Sequence, residues 1–351
     1  MKPLKGAIAI PVKNYFNVKD WFSGEYQSKQ DKYLSETFGF RNIFVRFNNQ
    51  MAFNLFRKAR ANGVIIGKNG YLFEQNYINA YNGTDFLGAD SILHRMQRLK
   101  FIQDTLNKLN KTIFIVFAAG KGSYFAEYFP DKYKTKTGPT NYEYHIKIAQ
   151  ELGLNYIDFN KYFVDHKSSS KYQLYPKYGI HWSYYGMSLA TDSILHYIEK
   201  IRNIDLNNIY WNELNTSSPN EIDYDIGNGM NLLCKLDREQ LVYPKIQYEN
   251  DSTKAKPSFL VISDSFFWEI FNSGISSVFS KTHFWFYNKQ IYPDSYEKPL
   301  EASQVNLKEE IAKHDIIMIM GTEATLTNLG WGFIENVYQI FKEGDQKKVN
   351  K

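Results

Sequence analysis

The 351-residue chain has a single cysteine, Cys234. A lone thiol excludes an internal disulfide and any cysteine-rich zinc site. Long apolar runs are missing as well, and no stretch approaches the roughly 20 residues of a membrane-spanning helix. The short apolar run that begins at Gly6 falls below the h-region of a signal peptide and is interrupted by Pro11, so the chain as given is expected to carry no targeting segment. Lysine and arginine nowhere form a basic arm. The net charge of +5 is mild and spread along the chain, which argues against a nucleic-acid partner and leaves a weak preference for acidic polymers. The seven histidines show no ligand spacing such as H-E-x-x-H, so no metal is expected. Internal repeats and long low-complexity segments are also lacking.

Aromatic residues are abundant. They make up 17% of the chain, with 27 Tyr and 26 Phe. They suit either a Tyr- and Phe-rich core or an aromatic-lined cleft for sugar-like ligands. A hydrophobic share of 43% is enough for a sizeable core, and 23% charged residues is ordinary for a folded soluble protein. The length fits one large domain or two ordinary ones.

Residues 24–58 read as helical, with Phe40, Ile43, Phe44, Phe47, Met51 and Leu55 on one stripe. Residues 1–60 are therefore expected as a helical segment packed on the core. Gly63–Phe73 reads as a hairpin around Asn69-Gly70. An amphipathic helix over Ala89–Leu109 precedes a continuous apolar run, Thr112–Ala119, of the kind buried on both faces in a parallel sheet. Alternation continues with a helix near Tyr142–Leu152, a strand at Asn155–Phe159 and a helix near Ser183–Ile201. Residues 202–256 lose the rhythm and read as an excursion. Strands at Ser258–Ile262, 283–288 and Asp315–Met320 follow, with helices near Leu307–Lys313 and Trp331–Lys342. Residues 344–351 are expected to fray. The order implies an α/β fold, a mostly parallel sheet with helices on both faces, over residues 61–343.

In such sheets ligands bind beyond the carboxyl ends of the strands. Three runs end in polar residues there: Gly120-Lys121-Gly122-Ser123, Ser263-Asp264-Ser265-Phe266 and Gly321-Thr322-Glu323. Ser265, between a buried strand and a helix starting at Phe266, suits a nucleophile, and the Phe266 N–H suits an oxyanion donor. Such a serine equally suits a helix N-cap. A nucleophile needs a base, and His181, on the loop ahead of a helix capped by Ser183, is the best one. It equally suits a packed structural histidine.

Taken in order, Gly67-Lys68-Asn69-Gly70-Tyr71-Leu72-Phe73, Gly179-Ile180-His181-Trp182 and Ile262-Ser263-Asp264-Ser265 resemble the alginate O-acetyltransferase group of SGNH-hydrolase-like proteins. The stretch from Trp21 to Asn42 resembles the segment that follows the membrane anchor in that group. The resemblance implies a three-layer SGNH-like domain. It also implies an O-acyltransferase or esterase acting on a cell-surface polysaccharide, in the periplasm or at the cell surface. A membrane-bound partner would supply the acyl group, and no cofactor would be needed. By motif, Ser265 is the nucleophile and His181 the base, with Phe266, Lys121, Ser123, Trp182 and Tyr185 around the substrate. The family's Asp-x-His motif places its acid at Gly179, which has no side chain. Glu323 is the first substitute expected to orient His181, with Asp192 and Glu269 behind it. Otherwise a Ser–His dyad works alone, or the chain is a catalytically degenerate polysaccharide-binding or export-assembly component.

Overall fold

A computed structural model describes residues 3–6, 12–236 and 239–349. Its centre is a six-stranded sheet. In chain order the strands are β1 (Thr112–Ala118), β2 (Tyr156–Asp158), β3 (Ser258–Ser263), β4 (Lys281–Phe286), β5 (Gln290–Tyr292) and β6 (Ile316–Thr322), laid side by side as β5-β4-β3-β6-β1-β2. All neighbours run parallel except β4 and β5, which pair antiparallel. The continuous apolar runs sit where both faces are covered, as expected for parallel strands. Along β1, Phe114, Val116 and Ala118 face one core, and Ile113, Ile115 and Phe117 face the other.

Helices among the described residues include the following eight. They are α1 (Ala89–Lys108), α2 (Asn141–Leu152), α3 (Phe159–His166), α4 (Tyr184–Arg202), α5 (Asp225–Gly229), α6 (Phe267–Asn272), α7 (Leu307–Lys313) and α8 (Phe333–Val349). On α1 the residues Ile92, Met96, Leu99, Ile102 and Leu106 are buried, the stripe that the 3.6-residue period demands. Thr140 and Glu143 form a capping box at the start of α2, and Gly153 ends it in the left-handed region at φ 62°. Ser183 caps α4 by accepting the Gly186 N–H at 3.0 Å. The 64–74 hairpin pairs Val64 with Glu74, and Asn69 and Gly70 both take positive φ at its turn.

Outside the sheet, one expectation needs correction. The N-terminal segment forms three helices, Val18–Ser23, Glu25–Thr37 and Arg41–Phe56. Its apolar stripe is not a buried face: Phe40, Phe44, Phe47 and Leu55 are each more than half exposed. Docking falls instead to Asn49, Ala52 and Phe53. Periodicity locates an apolar face but says nothing about what covers it. At the other end α8 continues through Val349. Residues 350 and 351, like most of the apolar run starting at Gly6, lie outside the described residues. The 202–256 stretch holds two short antiparallel pairs and α5.

Candidate active site

Because β1, β3 and β6 are parallel and in register, their carboxyl ends share one rim. Ser265 follows β3 directly and is half-buried. The loop ahead of α4 carries His181 to it, and His181 Nε2 lies 2.9 Å from Ser265 Oγ. On the other side of the ring, Nδ1 lies 3.1 Å from Asp225 Oδ2. With Nδ1–H donating to Asp225, Nε2 is left as an acceptor for the Ser265 hydroxyl. Asp225 is itself fixed, since its Oδ1 accepts the N–H groups of Ile180 at 2.9 Å and Ile226 at 2.7 Å. The His181 side chain is 13% exposed and that of Asp225 is 32% exposed, so solvent reaches the edge of the site without flooding it. Phe266 packs against the imidazole, ring centroids 4.7 Å apart.

The carboxylate that orients His181 therefore comes from the excursion, 44 residues beyond the histidine. Gly179 explains why. A Cβ at that position would stand 2.6 Å from the Asp223 carbonyl oxygen and 2.7 Å from its carbon. The excursion backbone fills the space that a side chain at position 179 would need. It is pinned there by the bond from Gly227 N–H to Tyr178 O, 3.1 Å.

The sequence model of the family described as "SGNH hydrolase-like domain, acetyltransferase AlgX" matches residues 64–258. The chain belongs to this family. No curated protein matches it at a significant level. Among solved structures, it is similar to the O-acetyltransferase domain of Pseudomonas putida AlgJ. That match has a TM-score of 0.51 and 13% identity, and covers 79% of this chain and 99% of that one. It is also similar to Bacillus cereus PatB1 bearing a sulfonyl adduct. There the TM-score is 0.54 and the identity 11%, covering 77% of this chain and 99% of the other. At these identities the two structures show a shared fold.

Several residues expected at the site of this SGNH-like member do other work. Glu323 does not reach His181. Its Oε1 accepts the Ser123 N–H at 3.0 Å, and its Oε2 takes the Ser123 hydroxyl. Asn160 donates to the same hydroxyl at 3.3 Å and accepts the Gly120 N–H at 2.8 Å. Gly120 and Gly122 leave room for this buried carboxyl, since a Cβ on either would meet Glu323 at 2.2 or 2.7 Å. Burial pushes Glu323 up to about 7 despite the bonds from Ser123. Ser123 is thus held by Glu323 rather than offered to a substrate. Asp192 pairs with His196, 3.3 Å away along one face of α4. Glu269 is buried with neither carboxyl oxygen bonded, and burial holds it well above the usual carboxylate range.

Lys121 is fully buried and is no surface anchor. Its ammonium donates to the carbonyls of Lys177, at 3.0 Å, and Gly179, and so braces the loop that carries His181. Burial lowers it to about 7, partly offset by the charges of Asp225, Glu239 and Glu74. Trp182 is also a core residue, with 0% exposure, stacked on Phe163 and edge-on to Phe159 and Phe266. Tyr185 packs edge-on against Tyr172. The Phe266 N–H is not free for an oxyanion, because it donates to Asp264 Oδ1 at 3.0 Å. Asp264 is buried, and its Oδ2 accepts from Thr325 Oγ1 at 2.8 Å and Thr322 N at 3.2 Å, which ties the Ser265 turn to the end of β6.

Two neighbours went unforeseen. Tyr287, just past β4 at φ 52°, stands beside Ser265. Burial raises its phenol most and the Asp264 charge next, while hydrogen bonding to Ser265 lowers it. Glu74, at the end of the hairpin, is mostly buried. It is raised first by burial and next by Asp225, and lowered by His181. No local pattern marks either residue, since both arrive through pairing of distant segments.

Proposed function

We propose that this protein is a serine-dependent O-acyltransferase that moves an acetyl-sized group onto a cell-surface polysaccharide, with hydrolysis as its side reaction. The observation that carries this reading is the unbroken line Ser265–His181–Asp225 on the rim of the sheet, in a chain of an acetyltransferase family. In the first half-reaction His181 takes the Ser265 proton while Oγ forms a bond to the acyl carbon. The bond to the donor oxygen then breaks, and the donor leaves with that proton. In the second half a sugar hydroxyl gives its proton to His181 and attacks the acyl-serine, whose Oγ is reprotonated as the new ester leaves. Asp225 holds the ring in the required tautomer and stabilises its cation. With the Phe266 N–H engaged, the oxyanion is assigned to the Tyr287 phenol, which is hydrogen-bonded to Ser265.

The alternative of a degenerate binding component rested on Gly179, and Asp225 supplies the group that Gly179 lacks. We place the protein outside the cytoplasm, served by a membrane-bound acyl donor, on the strength of its family. No helix among the described residues is long and apolar enough to cross a membrane. Incubation with an activated acetyl ester should leave one acetyl group on Ser265, found by peptide mass spectrometry and absent from Ser265→Ala. A polysaccharide acceptor should then discharge it. If no adduct forms and ester turnover is the same in Ser265→Ala, the reading is wrong.

A further inference from the structure

Away from the rim, near the amino end of the sheet, three buried side chains converge. His283 is the third residue of β4, Glu310 lies in α7, and His314 follows α7 just before β6. They are 6%, 7% and 0% exposed. Each offers one ligand atom, and the three atoms lie within 4.8 Å of one another. No spacing in the sequence announces this cluster, because the two histidines are 31 positions apart and only the parallel pairing of the strands brings them together.

The second atoms of His314 and Glu310 are already hydrogen-bonded, and that of His283 faces a carboxylate. His314 Nδ1–H donates to the Glu310 carbonyl at 2.6 Å, which leaves its Nε2 as a bare lone pair with no partner. His283 Nε2 faces the Asp294 carboxylate at 3.6 Å, which leaves Nδ1 unbonded and 3.4 Å from Glu310 Oε2. Glu310 Oε1 takes the Lys313 ammonium at 2.8 Å and leaves Oε2 turned to the histidines. Outer partners that fix the tautomer and aim of metal-bound imidazoles and carboxylates follow this pattern. Two imidazole nitrogens buried without a hydrogen bond cost about 1–3 kcal/mol each, and here both stand within 4.8 Å of one carboxylate oxygen. Zinc binds nitrogen and oxygen ligands at about 2.0–2.2 Å, which sets the corners of a tetrahedron about 3.4 Å apart. The His283–Glu310 pair already has that separation.

We propose that His283 Nδ1, His314 Nε2 and Glu310 Oε2 form a buried divalent-cation site of the zinc class, completed by a water molecule. The site is structural. It clamps β4 and α7 to the start of β6, five positions along the β3 register from Ser265, or roughly 16 Å at the rise of a strand.

The test uses the full chain, stripped with a chelator, dialysed and titrated with zinc chloride alone. One equivalent is expected to bind and raise the melting temperature. Cobalt(II) in its place should give the intense visible bands of a four-coordinate nitrogen and oxygen site. His283→Gln and Glu310→Gln should each weaken zinc binding by at least tenfold while leaving turnover of the activated ester unchanged. Failure of the wild-type chain to bind one equivalent, binding equally tight in both variants, or a six-coordinate cobalt spectrum would each overturn the proposal. The cobalt measurement needs no variant to fold.

Discussion

At the scale of single residues, the distinction that matters lies between two carboxylates. Asp225 touches the His181 ring, and Glu323 does not. Asp225→Asn keeps the oxygen that accepts the Ile180 and Ile226 N–H groups but turns an amide N–H toward Nδ1. That forces the proton onto Nε2, where it cannot accept from Ser265. Ester turnover should fall by about 10²–10⁴, toward the value for the same change in a serine protease, with the folded structure kept. Glu323→Gln should barely change turnover, because an amide can still accept from the Ser123 N–H. Its effect belongs to stability. Folding raises Glu323 from its ordinary 4.5 to about 7, so the folded chain holds this proton more tightly than the unfolded one. The resulting stability is present below pH 4.5 and is lost as the pH rises toward 7, a difference on the order of 3 kcal/mol for a fully buried group. The substitution should therefore raise the melting temperature at pH 8 relative to wild type, and less so or not at all at pH 4.5. Thermal melts at the two values check this. A third change, Tyr287→Phe, should lower the rate of acyl-serine formation without loosening acceptor binding if the phenol serves the oxyanion. Equal effects on both would remove it from that role.

At the scale of elements, Gly179→Ala tests whether the excursion backbone excludes a side chain. A methyl group would stand 2.6 Å from a carbonyl oxygen of the main chain, which cannot swing aside as a flexible side chain can. We expect a loss of about 1–3 kcal/mol, as for overpacked sites. Activity should fall with it, because displacing Asp223 displaces Asp225 two residues on. Denaturant melts and ester assays measure the two effects. The same contact shows where the sequence was legible and where it was not. β1, β3, β6 and α1 are readable because a long apolar run or a 3.6-residue stripe reports burial directly. Ser265 and His181 are readable because a strand end and a helix start fix where each must stand. Asp225 is not readable, since it sits in an aperiodic stretch and acquires its place only through the Gly227–Tyr178 bond and the fit against Gly179. Lys121 and Trp182 mislead for a related reason. Their position at a strand end or beside a catalytic motif suggests the substrate, whereas the backbone turns both side chains inward.

For the whole molecule, the sheet and its two cores carry the site, while the first helices stand apart. Neither Val18–Ser23 nor Glu25–Thr37 buries a residue, and exposed Trp21, Phe22, Phe38 and Phe44 line the segment. Deleting residues 1–40 should shift the melting temperature by less than the roughly 2–4 °C that 1 kcal/mol produces in a large domain. Ester turnover should survive. A larger drop, by differential scanning fluorimetry, would mean that this segment supports the fold more than its contacts suggest. The aromatic wealth of the chain is divided, with Phe114, Phe117, Phe259 and Trp285 among the largest side chains fully enclosed and Phe22, Phe40 and Tyr296 among those exposed.

The filled space beside Gly179 has a wider meaning for how such chains are judged. Glycine and acid behave here as two halves of one exchange. Where the excursion brings its own carboxylate to the histidine, no side chain fits at position 179, so a glycine there does not by itself argue against a working serine and histidine. The proposed functional groups then run His181, Asp225, Ser265 along the polypeptide. A relative with glycine two places ahead of its histidine should be searched for an aspartate in the segment beyond the following helix before it is set aside as inactive.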